Sequence, residues 1–261
     1  MELLKPVRPR RSHLNELAYN ALNIAMAGAV LAATLSTQTI WLPLLIVLLS
    51  KWRVLAVRPR YWRANILANL VDVIVGLGFV VILFSAAGTL WFQIGLTIAY
   101  ILWLLFIKPR SKRSFVVIQA LVAVFMGVTA LASVAYSVNA VVFVAGMWVI
   151  GYAAFRHVLM HYDEQLTAMM SLVAGLLMAQ LGWFGYHWLF VYSVPGTGVK
   201  ISQLAVFAAL LSFMTLRIYD AHHQKGDKLK VQHVILPIMF SLMLIAVILV
   251  LFNQITPNGS L

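Results

Sequence analysis

The chain has no cysteine among its 261 residues, which excludes disulfides, thiolate metal ligands and haem held through thioethers. Charge is almost as scarce: 10% of residues are charged and 7 are acidic, against about a quarter charged in soluble domains. With 63% hydrophobic residues and a mean hydropathy of +0.94, the solvent for most of this chain is lipid. Apolar runs near the ~20 residues that a bilayer requires use up almost its whole length, so no soluble domain fits between them.

Other absences narrow the chemistry. There is no glycine loop followed by lysine to cradle a nucleotide phosphate, so the chain is no ATP-driven pump by itself. The paired aspartate-rich motifs of prenyltransferases and the arginine and histidine signatures of lipid phosphatases are missing. No lysine lies deep inside an apolar run, which removes a retinal Schiff base. GxxxG is absent too, so close helix approach has to come from small-residue faces such as Ala25 to Ala33.

What is present reads as an all-α integral membrane protein forming one transmembrane domain over residues 1–261. Nine spans are expected, at 16–35, 37–55, 65–87, 89–107, 114–134, 139–160, 165–184, 201–216 and 233–252. The second is the weakest. Its clean apolar stretch, 40–49, is too short to cross, so Lys51 and Arg53 must snorkel or begin the loop. The basic first segment followed by a span interrupted by Asn20 and Asn23 reads as an uncleaved signal-anchor.

All of the 19 lysines and arginines except Lys200 fall in alternate connections. By the positive-inside rule those connections are cytoplasmic, which places the N-terminus inside and the tail after the ninth span outside. The net charge of +12 is therefore mostly a topology signal. A nucleic-acid partner would need its basic residues on a soluble face, and none is expected.

Val7-Arg8-Pro9-Arg10 recurs as Val57-Arg58-Pro59-Arg60 and as Ile107-Lys108-Pro109-Arg110, at intervals of 50 residues. Geometry alone accounts for such spacing, since two spans and two loops take about that length. The sharper account is a duplicated helix hairpin, 7–56, 57–106 and 107–156, as in transporters with parallel repeats. The three basic junctions offer Arg8, Arg10, Arg58, Arg60, Lys108 and Arg110 to anionic lipid headgroups.

Asp72 is the acidic residue set well inside a span, about 10 Å from its cytoplasmic end by helical rise. A charge there is expensive and points to function. Arg63, Asn69 or Asn23 could lower its cost. Asn65, Asn69 and Asp72 repeat the spacing of Glu16, Asn20 and Asn23, i, i+4, i+7, so each triplet shares a helix face. Face to face, the six residues would form a polar seam open to the cytoplasm, serving either as a solute site or as interhelical hydrogen-bonding glue.

Histidines supply an enzyme-like alternative. His157 and His161 are four apart, followed by Asp163 and Glu164, and Asp220, His222 and His223 lie in the next cytoplasmic connection. Such ligands suit zinc or non-haem iron. The pattern resembles the histidine boxes of membrane desaturases and hydroxylases, although no complete HxxHH occurs and the 7 histidines fall short of that family's set. No cofactor is expected outside this alternative. The aromatic connection from Gly185 to Lys200 reads as belt anchors or a short re-entrant lid.

Two short runs, Trp62-Arg63-Ala64-Asn65 and Arg156-His157-Val158-Leu159, are similar to segments of uncharacterised multi-spanning inner-membrane proteins of small-genome bacteria. That resemblance implies a bacterial inner-membrane location and carries no mechanism. The expected function is non-catalytic, transporter-like or solute- and lipid-binding. A structural subunit that packs on a membrane partner, or on a second copy, is the further alternative.

Overall fold

Each long apolar run folds into a helix because no water is available in a bilayer to satisfy an open backbone. The computed structural model describes residues 13–37, 39–135, 138–162, 164–188, 190–225 and 232–251. Among them are nine α-helices: α1 (His13–Thr37), α2 (Trp41–Ser50), α3 (Trp62–Ser85), α4 (Leu90–Leu102), α5 (Arg113–Ser133), α6 (Ala140–Leu159), α7 (Thr167–His187), α8 (Gln203–Lys225) and α9 (Gln232–Leu251). Eight helical stretches are long and apolar enough to cross a membrane, which makes this a multi-pass membrane protein.

The second expected span is the exception. α2 has 10 residues, about 15 Å of rise, or half of a hydrocarbon core of ~30 Å. After Ser50 the chain turns through a 3-10 segment, Trp52–Val54, and an irregular stretch before α3. That stretch is tied to the start of α3: Trp62 Nε1 donates to the carbonyls of Leu55 (3.0 Å) and Val57 (2.9 Å), and Asn65 Nδ2 to that of Val54 (3.3 Å). Lys51 lies in the turn after α2 and Arg53 in the 3-10 segment, so neither belongs to α2.

α3 and α5 form the buried centre, with Val75, Phe79, Val80, Ala123, Val124 and Val128 almost fully enclosed. Glycine lets them approach: a Cβ on Gly127 would stand 2.6 Å from Ile74 Cγ2, and one on Gly78 3.0 Å from the Met126 carbonyl. α6 and α7 meet in the same way, since a Cβ on Gly151 would fall 2.5 Å from Met178 Cγ. Small residues thus replace the hydrophobic effect as the source of close packing. They are scattered singly across helices and form no GxxxG. α9 lies on the rim of the bundle and leaves most of its apolar side chains exposed.

The aromatic connection begins as the last residues of α7, Gly185 to His187, and is no bare loop after it. It forms a hairpin of β1 (Val191–Ser193) and β2 (Lys200–Ser202), antiparallel with Tyr192 opposite Ile201. Pro195 and Gly196 occupy the turn, and Gly196 at φ +72° takes the left-handed conformation that a Pro-Gly turn asks of its glycine. Val199 tucks against Ile82 and Ala86 at the end of α3. Gly198 lies so close to the Ser85 carbonyl that a Cβ there would collide with it.

Candidate functional site

Lys51, Asp72 and Lys108 converge where α2 and the π-helical end of α4 stop against the interior of α3. α2 stops at Ser50, and Lys51 caps it, its backbone N–H donating to the carbonyls of Leu48 and Leu49. An ammonium belongs there, because the carbonyl end of a helix carries partial negative charge. α4 reaches Lys108 through a π-helical turn, Trp103–Ile107, closed by the Lys108 N–H on the Trp103 carbonyl at 2.9 Å. The wider turn re-aims the lysine inward, as π-bulges at functional sites do. Pro109 then prevents the helix from continuing.

Asp72 Oδ2 accepts from Lys51 Nζ and lies 2.9 Å from Lys108 Nζ. The three side chains are 10%, 13% and 26% exposed for Lys51, Asp72 and Lys108. Burial pulls the Lys108 ammonium down, but the adjacent Asp72 carboxylate outweighs it and holds the group above the ordinary lysine range. Arg63, the partner expected for Asp72, is exposed. Lysine takes its place because the half-length α2 and the π-turn bring two ammonium groups to the depth of Asp72.

The cluster lines a cavity of about 740 Å³ bounded by α1, the end of α2 and its irregular continuation, α3 and Lys108. Among the described residues on its wall, two lysines face one carboxylate, which leaves one positive charge in surplus among them. Asn23 Nδ2 and Asp72 Oδ1 are buried atoms without a hydrogen-bond partner among the described residues. The cavity wall also carries Leu22 and Trp52, which are 65% and 62% exposed.

Of the six expected seam residues, Asn23, Asn69 and Asp72 line this cavity. Glu16, Asn20 and Asn65 are not on its wall. Glu16 is exposed, Asn65 is engaged with Val54, and Asn69 Nδ2 donates to the Asn65 carbonyl one turn back at 2.8 Å. The expected face-to-face seam of α1 and α3 is thus corrected to a cavity with α2 in its wall. Gly76, one turn beyond Asp72, makes room for the neighbours beneath: a Cβ there would lie 2.7 Å from Val47 Cγ1 and 3.2 Å from the Tyr100 hydroxyl.

A second polar chain braces the Lys108 turn. Gln119 Nε2, on α5, shares its protons among the carbonyls of Ile107 (2.7 Å), Lys108 (3.3 Å) and Arg110 (3.1 Å). Its Oε1 therefore accepts, and His157 Nε2 on α6 donates to it at 2.7 Å. These carbonyls sit past the end of α4, where intrahelical partners run out.

The two connections that hold the histidines do meet, but through tyrosines. Tyr162 donates to Asp220 at 2.7 Å and Tyr219 to Glu164 at 2.5 Å. His223 packs its ring on Tyr162 and Tyr219, while His161 and His222 are exposed. Asp163 lies outside the described residues. Among the described residues no group of three or more histidine or carboxylate side chains is placed to hold one metal ion, because the carboxylates face tyrosines and His157 faces Gln119.

Of the positions expected at lipid headgroups, Arg8 and Arg10 lie outside the described residues. Arg58 and Arg60 flank Pro59 on the surface, Arg60 stacked over Tyr61. Arg110 lies over Phe115, and Lys108 turns inward to Asp72. No family model matches this chain, and no curated protein or solved structure does.

Proposed function

We propose that this chain is a non-catalytic, transporter-like protein of a bacterial-type cytoplasmic membrane that binds an anionic solute at Lys51, Asp72 and Lys108. The observation that carries the reading is the charge balance among the described residues of the cavity, two partly buried lysines against one carboxylate. A site that only stabilised Asp72 needs one lysine. A second one held 2.9 Å from the same oxygen costs desolvation that a bound anion offsets.

The half-length α2 supports the same reading. Irregular backbone at membrane depth is tolerated where it is buried or lines a cavity, and broken helices of this kind hold the substrate in many transporters. By the positive-inside rule the basic end is cytoplasmic, so the N-terminus is inside; with α2 and its irregular continuation together taken as one traverse beside the eight long helices, the last helix ends outside and the cavity serves the cytoplasmic half of the membrane. Arg58, Arg60 and Arg110, with Arg8 and Arg10, steady that end on anionic headgroups. The uncovered face of α9 is where a membrane partner or second copy would pack.

Thermal unfolding of the detergent-purified protein, with inorganic phosphate, acetate and choline as probes, tests the reading. Phosphate and acetate should raise the midpoint, choline should not, and Lys108→Gln should remove the response. An equal response to choline and phosphate would sink it.

A further inference from the structure

The charge and the rim of the cavity together select a ligand class, an inference that rests on the anion-binding reading above. The wall has one surplus positive charge, so a monoanion neutralises it, whereas a dianionic phosphomonoester would leave a buried negative charge behind. Lys51 and Lys108 each retain N–H groups beyond those directed at Asp72, and Asn23 Nδ2 adds a donor without a partner. That set matches the non-bridging oxygens of a phosphate group, for which lysine acts as a point-charge partner. Asp72 Oδ1 is the converse, a buried acceptor without a donor, and it calls for a hydroxyl on the same ligand.

The rim says where such a ligand comes from. Leu22 and Tyr19 on α1, 65% and 38% exposed, and Trp52 after α2, 62% exposed, border the cavity. Apolar side chains around a mouth are costly against water and cost nothing against acyl chains. Tyrosine and tryptophan are the residues that settle at the level of lipid headgroups. The volume, about 740 Å³, lies in the range of ~300–1,000 Å³ usual for ligand pockets. We infer that the cavity binds a monoanionic phosphodiester amphiphile with a hydroxyl-bearing headgroup, a phosphatidylglycerol-type lipid, entering sideways past Leu22 and Trp52.

Native mass spectrometry of the delipidated protein in a non-ionic detergent decides it, with phosphatidylglycerol, phosphatidylcholine and the deacylated headgroup glycerophosphoglycerol as probes. Phosphatidylglycerol should bind about tenfold more tightly than phosphatidylcholine, as loss of one charge-assisted contact implies. Lys108→Gln should abolish that preference. Leu22→Trp, on an exposed position that leaves folding unaffected, should narrow the mouth and weaken lipid binding. If glycerophosphoglycerol binds as well as the lipid and Leu22→Trp has no effect, the lipid inference is overturned while the anion site stands. If neither binds, or Lys108→Gln binds all probes as wild type does, both fall. Equal binding of phosphatidylcholine and phosphatidylglycerol overturns the headgroup selection.

Discussion

Replacing Asp72 with asparagine should cost more than removing either lysine that it holds. At 2.9 Å and an effective dielectric constant near 20, the attraction between Asp72 and Lys108 is about 6 kcal/mol. Much of this is offset by the desolvation of both charges, and removal of one partner from a buried pair costs roughly 3–5 kcal/mol. Asp72→Asn raises the surplus charge of the cavity from one to two. Lys51→Met instead leaves a matched pair, Asp72 with Lys108, and relieves the repulsion between the lysines. The two changes should therefore differ in size, and Lys51→Met should recover stability when added to Asp72→Asn. At about 2 °C per kcal/mol for a chain of this length, Asp72→Asn should lower the unfolding midpoint by roughly 6–10 °C, followed by the fluorescence of the 8 tryptophans in detergent. A midpoint within about 2 °C of wild type, or a double variant no more stable than Asp72→Asn, would refute the charge balance on which the site is argued.

Gly76→Ala should destabilise by about 1–3 kcal/mol, because its methyl group would stand 2.7 Å from Val47 Cγ1 in an enclosed core; wild-type stability by thermal unfolding would mean that α2 shifts freely. Gln119→Leu removes the amide that serves three carbonyls and His157, with an expected loss of roughly 1–3 kcal/mol. It should also weaken anion binding by loosening the Lys108 turn, and loss of stability without loss of affinity would separate the brace from the site. Lys108 is held above its ordinary pKa of 10.5, with Asp72 outweighing burial, so its folded state binds a proton that the unfolded state gives up. The stability gap between wild type and Lys108→Gln should then be full from neutral pH up to 10.5 and shrink above it, as pH passes through the raised value; a gap that closes at neutral pH contradicts the pairing.

The long helices were legible because lipid demands unbroken apolar runs, and the chain offers them at regular intervals. Asp72 was legible for the same reason, as an acid in a place where acids are expensive. The lysines were not. Lys51 and Lys108 sit in basic connections, where the topology rule already accounts for every positive charge and leaves none to be singled out. The signal was local: an apolar stretch from 40 to 49 too short to cross, with a lysine directly after it, means a charge held at depth, and the lysine preceding Pro109 sits where a helix must stop. Half of the seam failed because i, i+4, i+7 spacing fixes a shared face without fixing the partner. Asn65 turned to the returning loop and Glu16 to the surface. Gln119 left no trace in the sequence, since its role depends on carbonyls that only the π-turn exposes.

The half-helix and the buried charges are one solution rather than two features. Had α2 continued as a full-length helix, its backbone would have been satisfied internally and its flank would have filled the space between α1 and α3. Stopping at Ser50 frees the last carbonyls of α2, and the residue whose backbone N–H caps them carries the ammonium that Asp72 needs. The same break leaves Trp52 and Val54, in their 3-10 segment, as walls of the cavity instead of further turns of α2. A polar site within a membrane requires both space and counter-charge, and in this chain the early end of a single helix supplies the two together.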